Sequence, residues 1–419
     1  MAGVFSRVFT CHVRNTFVPP LPQVKASRLF HGFSYGTRKI LNKPQNFGIN
    51  LIRKTETLAV HAIASKNAVA QKAVGYWLLG CGGMVFGAVV LGGVTRLTES
   101  GLSMVTWKLF GEKPPFNQAD WEKEFELYKQ FPEYKMKNMD ITLEEFKRIW
   151  WMEYSHRMWG RCIGAAFLLP ATYFWMKGYF TSAMKKRVPV FGLLIAAQGL
   201  MGWYMVKSGL EDRFPTQNDV VRVSQYRLAS HLSIAFILYT GFLWSAFDHL
   251  IPAQKLAEVT KSARRFRGLA HASKGLVFLT AFSGAFVAGL DAGLVYNSFP
   301  KMGDKWIPDE ILAFTPKISN ITENPVTVQF DHRILGITTL SVISGLWLLS
   351  RKRTLPPRAY KAANALAIMA WTQVLLGITA LVHYVPVSLA ALHQSGSLVL
   401  LSFAVWLTHE LKYVKRVVK

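Results

Sequence analysis

Eight runs of mostly apolar residues leave this chain few folds to choose from. They lie near 76–95, 158–177, 189–207, 228–248, 269–290, 333–350, 364–384 and 389–408. Each is roughly twenty residues long, enough for a helix to cross a bilayer core of about 30 Å. Inside lipid every backbone polar group must be bonded within its own segment, so the runs predict an all-α polytopic membrane protein. The last four runs also repeat the first four. Glu153-Tyr-Ser-His156-Arg157-Met-Trp-Gly160 returns as Gln329-Phe-Asp-His332-Arg333-Ile-Leu-Gly336. A Gln-x-x-x-Gly run follows each copy (Gln198 to Gly202, Gln373 to Gly377), and then a helix with a histidine expected in its first turn (His231, His393). The predicted architecture is eight transmembrane helices in two pseudo-symmetric four-helix bundles, related by an axis along the membrane normal.

The net charge of +25 would suggest nucleic acid in a soluble protein. Here it reports topology. The loops near 178–188, 249–268 and 351–361 and the C-terminal tail are basic, whereas 97–155 holds eleven acids against eight bases and 291–331 six against three. The positive-inside bias puts both termini on one side and both long loops on the other. The first 55 residues carry nine Lys or Arg and no acid, which reads as a mitochondrial transit peptide. The expected organisation is a leader over 1–60 and an N-terminal half over 70–250 that includes the outer loop 97–155. A basic linker over 251–268, a C-terminal half over 269–410 and a basic tail over 411–419 follow. The basic side is then the matrix of the inner mitochondrial membrane, and nucleic acid is no partner.

In this topology the second and fourth helices of each half begin on the outer side, so His156, His231, His332 and His393 lie at one depth. Ionisable side chains in a membrane helix are costly and point to function. A histidine from each of two facing helices fills both axial positions of a heme iron, whereas zinc needs a larger ligand set than two histidines per half supply. One such histidine is ordinarily a hydrogen-bonded residue at a helix end; four placed by a repeat are better read as two heme sites. Arg157 and Arg333 follow two of these ligands and suit heme propionates, or else snorkel to the interface. Glu153 lies three residues before His156, on one helix face, where Gln329 is its uncharged counterpart. It either relays protons beside one heme or serves the helix macrodipole. Asp331 is expected to cap a helix, Cys162 to be a small core residue, and His383, without a repeat partner, is a weaker candidate for a heme edge.

Taken in order, Glu-Tyr-Ser-His-Arg at 153–157, Val94-Thr-Arg96-Leu-Thr-Glu99-Ser-Gly-Leu-Ser103, Gly293-Leu-Val-Tyr-Asn297-Ser-Phe-Pro300-Lys-Met302 and Asp331-His332-Arg333 resemble the heme A synthase family. The resemblance spans roughly 70–410 and is similar in leader and loops to the mitochondrial members. It implies conversion of heme O to heme A for cytochrome c oxidase, by two successive hydroxylations of a ring methyl and loss of water. It further implies that His156 and His231 hold the substrate heme, that His332 and His393 hold a heme b cofactor, and that Glu153 is the reactive-site carboxylate. A ferredoxin-type electron donor, handover from the heme O-producing farnesyltransferase, and self-association are the partners expected beside the lipids. Many bacterial members carry a cysteine pair in the first outer loop; 97–155 has none. Its tryptophans (Trp107, Trp121, Trp150, Trp151) are expected to cover the porphyrin or dock a partner. Two other readings compete. A diheme electron-transfer cytochrome needs the four histidines but not Glu153. A transporter would place its site at the membrane midplane.

Overall fold

The structure, a computed structural model, describes residues 45–211, 222–251, 253–254, 259–352 and 355–414, with side chains from residue 68 onward. Most of the expected leader therefore lies outside the described residues. Among those described, the chain forms eleven α-helices and no strand. They are α1 (Gln45–Leu97), α2 (Gln118–Tyr128), α3 (Pro132–Met136), α4 (Leu143–Met176), α5 (Ser182–Gly209), α6 (Gln225–Leu250), α7 (Lys261–Gly289), α8 (Asn320–Glu323), α9 (Pro325–Arg351), α10 (Pro357–Val382) and α11 (Val387–Glu410). Seven are long and apolar enough to cross a membrane: α1 from Ala68 onward, α5, α6, α7, α9, α10 and α11. The chain is thus a multi-pass membrane protein.

The helix α4 falls short of that apolarity, although an eighth span was expected at 158–177. Arg157, Arg161 and Pro170 dilute its apolar run. Its 34 residues extend about 51 Å at 1.5 Å per residue, well beyond a bilayer core. It starts at Leu143 because Thr142 and Glu145 form a capping box: Thr142 Oγ accepts from the Glu145 amide, and the Glu145 carboxylate accepts from the Thr142 amide. Likewise α7 begins at Lys261, inside the expected basic linker. Charged helix ends outside the lipid leave no apolar signal, so hydropathy stops short of them.

The helix α9 starts at Asn324, whose side chain accepts from the Val326 amide, with Pro325 at the first helical position. Asp331 therefore sits in the second turn, and Asn324 is the cap that Asp331 was expected to be. Cys162 is exposed on the outside of α4 and Cys81 is buried, so only the second is a core residue.

In the C-terminal half α7, α9, α10 and α11 pack in a closed ring. In the N-terminal half α4 packs on α5 and α5 on α6. The helix α1 joins them through Trp77 Nε1, which donates to Ala166 O (2.9 Å), and through Gly82, which faces Phe242. The halves meet where α6 packs on α7 and α11. Arg96 at the end of α1 pairs with Asp291 just past α7 at 2.7 Å. The first outer loop has a core of its own, in which Met104, Trp121 and Tyr128 pack on Phe146 and Trp150 of α4.

Candidate functional site: two histidine pairs under outer lids

His156 lies more than three turns into α4, and His231, His332 and His393 lie six or seven residues past the starts of α6, α9 and α11, beyond the first turn in each case. Each ring is backed by a glycine on a neighbouring helix. A Cβ on Gly92 of α1 would stand 2.8 Å from His156 Cε1, and one on Gly202 of α5 would stand 3.5 Å from His231 Cε1. In the other half a Cβ on Gly284 of α7 would lie 3.2 Å from His332 Cε1, and on Gly377 of α10 2.7 Å from His393 Cε1. Small residues let helices and rings approach closely, and of these four distances two leave no room for a side chain and a third, 3.2 Å, is tight. The repeat thus builds the same cradle four times. One register differs: Gly87, the sequence counterpart of Gly284, backs Trp159 (3.2 Å to Cζ2), while His156 lies against Gly92.

In the second pair the rings of His332 and His393 stand 6.4 Å apart, centroid to centroid, with their planes at 89°. Two metal–nitrogen bonds of about 2 Å, plus about 1.2 Å from nitrogen to ring centre on each side, also give about 6 Å. The spacing therefore fits bis-histidine heme ligation. The hydrogen bonds agree. Ser283 Oγ donates to Thr280 O (2.8 Å), so its lone pair accepts from His332 Nδ1 at 2.7 Å. His393 Nδ1 donates to Gln373 O at 3.1 Å, and Gln373 Nε2 donates to His393 O at 2.7 Å. With a proton on each Nδ1, each Nε2 keeps the lone pair a metal needs; the tautomer is assigned from these partners.

The first pair has no such bonds. His156 Nδ1 and His231 Nδ1 are both buried without a partner, whereas Oε1 is unpartnered in Gln198 and in its counterpart Gln373 alike. Buried polar atoms left unpaired ask for a ligand that orders them. Among the described residues no cluster of three or more His, Cys, Asp or Glu could hold a metal.

Both pairs lie under a clamp of one design. Arg157 donates through Nε to Glu153 Oε1 (2.6 Å), through Nη1 to Thr106 O (2.7 Å) and through Nη2 to Met104 O (2.8 Å). Arg333 Nη2 donates to Gln329 Oε1 (3.1 Å) and Tyr296 O (2.9 Å), and Gln329 Nε2 donates to Ala292 O (2.8 Å). The arginines expected to meet propionates are bonded in this structure to carbonyls of the outer loops. Glu153 shares the His156 face of α4 as expected, and it is 4% exposed. Arg161, one turn further along α4, donates to Leu109 O (3.1 Å) and Lys108 O, so α4 holds the strand of loop from 104 to 109 at alternate carbonyls. Its counterpart in the other half is Ile337.

Trp121 and Trp150 fill the lid core, while Trp107 and Trp151 are exposed. The lid also buries Glu133, whose carboxylate accepts from Tyr128 Oη at 3.0 Å; burial pushes its pKa up to about 7. His383 is exposed, its ring on Thr379 O.

The fold and site define a multi-pass helical membrane protein with two pairs of histidines, the second of them at a spacing that suits heme iron. The comparisons identify its kin. The family model of COX15-CtaA, described as cytochrome oxidase assembly protein, matches residues 75–405, and the chain belongs to this family of heme A synthases. The heme A synthase COX15 of Bos taurus is 54% identical over 397 residues, 94% of this chain and 95% of the relative. That of Homo sapiens is 57% identical over 355 residues, 84% and 86% of the two chains. A heme A synthase of the bacterium Nitrosospira multiformis is 45% identical over 346 residues, 82% and 94%. By family the chain is an oxidoreductase of heme A biosynthesis.

Sequence reasoning missed Ser283 and Arg161. Neither has a counterpart in the other half, so a comparison of repeats passes over both. Gly202 and Gly377 were visible as the last letter of the Gln-x-x-x-Gly motif, but their task of backing a histidine was not.

Proposed function

We propose that this protein converts heme O to heme A, with His156 and His231 holding the substrate heme and His332 and His393 a resident heme b. The observation that carries the division is the contrast in Nδ1 partners. A resident cofactor is served by imidazoles already fixed in the ligating tautomer, and an exchanging porphyrin by imidazoles free to re-orient. Heme b supplies one-electron transfer when bound.

Glu153 is the charged group that only the first half possesses. Held against Arg157 and under the lid, it would take or give a proton as the ring methyl passes through two successive hydroxylations to a gem-diol, each consuming one dioxygen, two electrons from the donor and two protons and releasing one water. Loss of water then leaves the formyl group. Arg157 and Arg333 would meet the porphyrin propionates by exchanging a loop carbonyl for a carboxylate, which forms the stronger, charge-assisted bond. The lids would keep bulk water from the reacting edge.

In this reading α4 is the eighth span of two four-helix bundles, with the pairs facing the intermembrane space and both mature termini in the matrix of the mitochondrion. The basic matrix loops suit an acidic, ferredoxin-type electron donor, and a heme O-producing farnesyltransferase would hand over the substrate. Extraction and chromatography of the hemes bound to the purified protein tests the proposal. Heme b together with heme O and heme A is expected. Heme b alone, reversibly reducible, would make the protein a diheme electron-transfer cytochrome instead.

A further inference from the structure

Gln394 immediately follows His393 on α11, yet its side chain leaves its own half. Its Nε2 donates to Val89 O of α1 across the boundary between the halves, at 2.8 Å. The amide lies flat against the α1 backbone: a Cβ on Gly93 would stand 2.2 Å from Gln394 Oε1 and 2.6 Å from Nε2. Gly92, the next residue along α1, backs His156 on another face of the same turn, with 2.8 Å from its would-be Cβ to His156 Cε1. Two consecutive glycines therefore let one turn of α1 touch a histidine of the first pair on one side and the neighbour of a second-pair histidine on the other. At the pseudo-symmetric junction, α6 against α7, the glutamine on a glycine lies instead at the helix end: Gln225 sits against Gly289 and its Nε2 donates to Thr322 O at 3.3 Å. The sequence counterpart of Gln394 is Leu232 on α6, an apolar residue packed against buried residues of the hydrophobic core.

A half-buried amide that crosses an apolar interface has to find its partner, because an unpaired one is costly in lipid. That requirement gives this junction one register, where apolar contacts alone would tolerate sliding. The geometry points to Gln394 as a positioning residue: through Val89 and Gly93 it sets α1, and with it His156, relative to His393. The inference rests on the proposed reading of the two pairs as two heme sites. It assigns Gln394 no contact with either heme. Its effect is to hold the first-pair ligand in place from the second half, so that the two irons keep a fixed separation.

The test uses the full-length protein, purified with its hemes, and low-temperature electron paramagnetic resonance of both low-spin irons. His156→Ala identifies the first-half signal as the one it removes. Gln394→Ala is expected to shift that signal while the heme b signal and content stay as in the wild type. Gly93→Ala, which pushes the Gln394 amide off Val89, is expected to shift it as well, and the double variant no further than the larger single shift. A first-half signal unmoved in both single variants, with both hemes bound, would overturn the inference. So would a Gln394→Ala protein that loses heme b while Gly93→Ala leaves the first-half signal unchanged, since Gln394 would then serve only its own half. A wild type lacking any His156-dependent signal refutes instead the two-heme reading beneath it.

Discussion

The two halves of this molecule use one plan and differ in what surrounds the ligands. Each sets two histidines against glycines and clamps an outer loop with an arginine. In the second half Ser283 and Gln373 occupy both Nδ1 atoms and the clamp is neutral, through Gln329. In the first half both Nδ1 atoms are unpartnered, the clamp is charged through Glu153, and Arg161 straps down a longer lid. On the proposed reading, a duplicated scaffold keeps one site rigid for a cofactor and leaves its copy adaptable for a substrate, by changing a few residues around the same histidines.

The sharpest way to break the comparison is to make the first half imitate the second. Glu153→Gln copies Gln329, which shows that a glutamine retains the arginine clamp. Both hemes are expected to stay bound, while conversion of heme O falls about 10²- to 10⁴-fold, the usual contribution of a positioned acid or base. Near-normal heme A from this variant would remove Glu153 from the chemistry. Next in size, Ser283→Ala frees His332 Nδ1, and heme b retention is expected to weaken about 10- to 100-fold, the typical loss when a metal-bound histidine loses its outer partner. A titration with apo-protein reads this directly, and unchanged affinity would mean that the rigidity of the second pair has another source.

Arg161→Leu addresses the lid. Loss of its carbonyl bonds should raise amide exchange over residues 104–112 about 10-fold and leave the second outer loop unaffected. The smallest effect concerns pH. Burial raises the pKa of Glu133 to about 7 in the folded lid from its ordinary value of 4.5, so the folded state holds the proton more tightly than the unfolded one. Its contribution to lid stability is complete below about 4.5 and is lost as pH rises through about 7. Limited proteolysis of the first outer loop should therefore speed up a few-fold from pH 5 to 8, and Glu133→Gln should flatten that slope.

Much of the site was legible in the sequence because duplication writes it twice. His156 with His332, His231 with His393, and Gln198 with Gln373 stand out by pairing, and the glycines behind His231 and His393 lie in the same repeated letters. What the repeat does not share was invisible to it: Ser283 precedes Gly284 where Phe86 precedes Gly87, and Arg161 faces Ile337 across the alignment. Hydropathy marked eight runs, of which seven lie in helices long and apolar enough to span, but it misjudged the ends of α4 and α7. Their outer turns are polar, and a capping box at Thr142 carries α4 far beyond its apolar run. The arginine clamps were beyond spacing arguments, because a guanidinium beside a ligand can equally meet a propionate, a lipid headgroup or a loop carbonyl.

The central claim is that the two pairs hold different hemes for different purposes. Its most direct test is extraction of bound hemes from two matched variants, His231→Ala and His393→Ala, purified alongside the wild type. The account predicts that His231→Ala keeps heme b and loses heme O and heme A, while His393→Ala loses heme b. Loss of the same heme from both variants, or of heme b from His231→Ala alone, would contradict it.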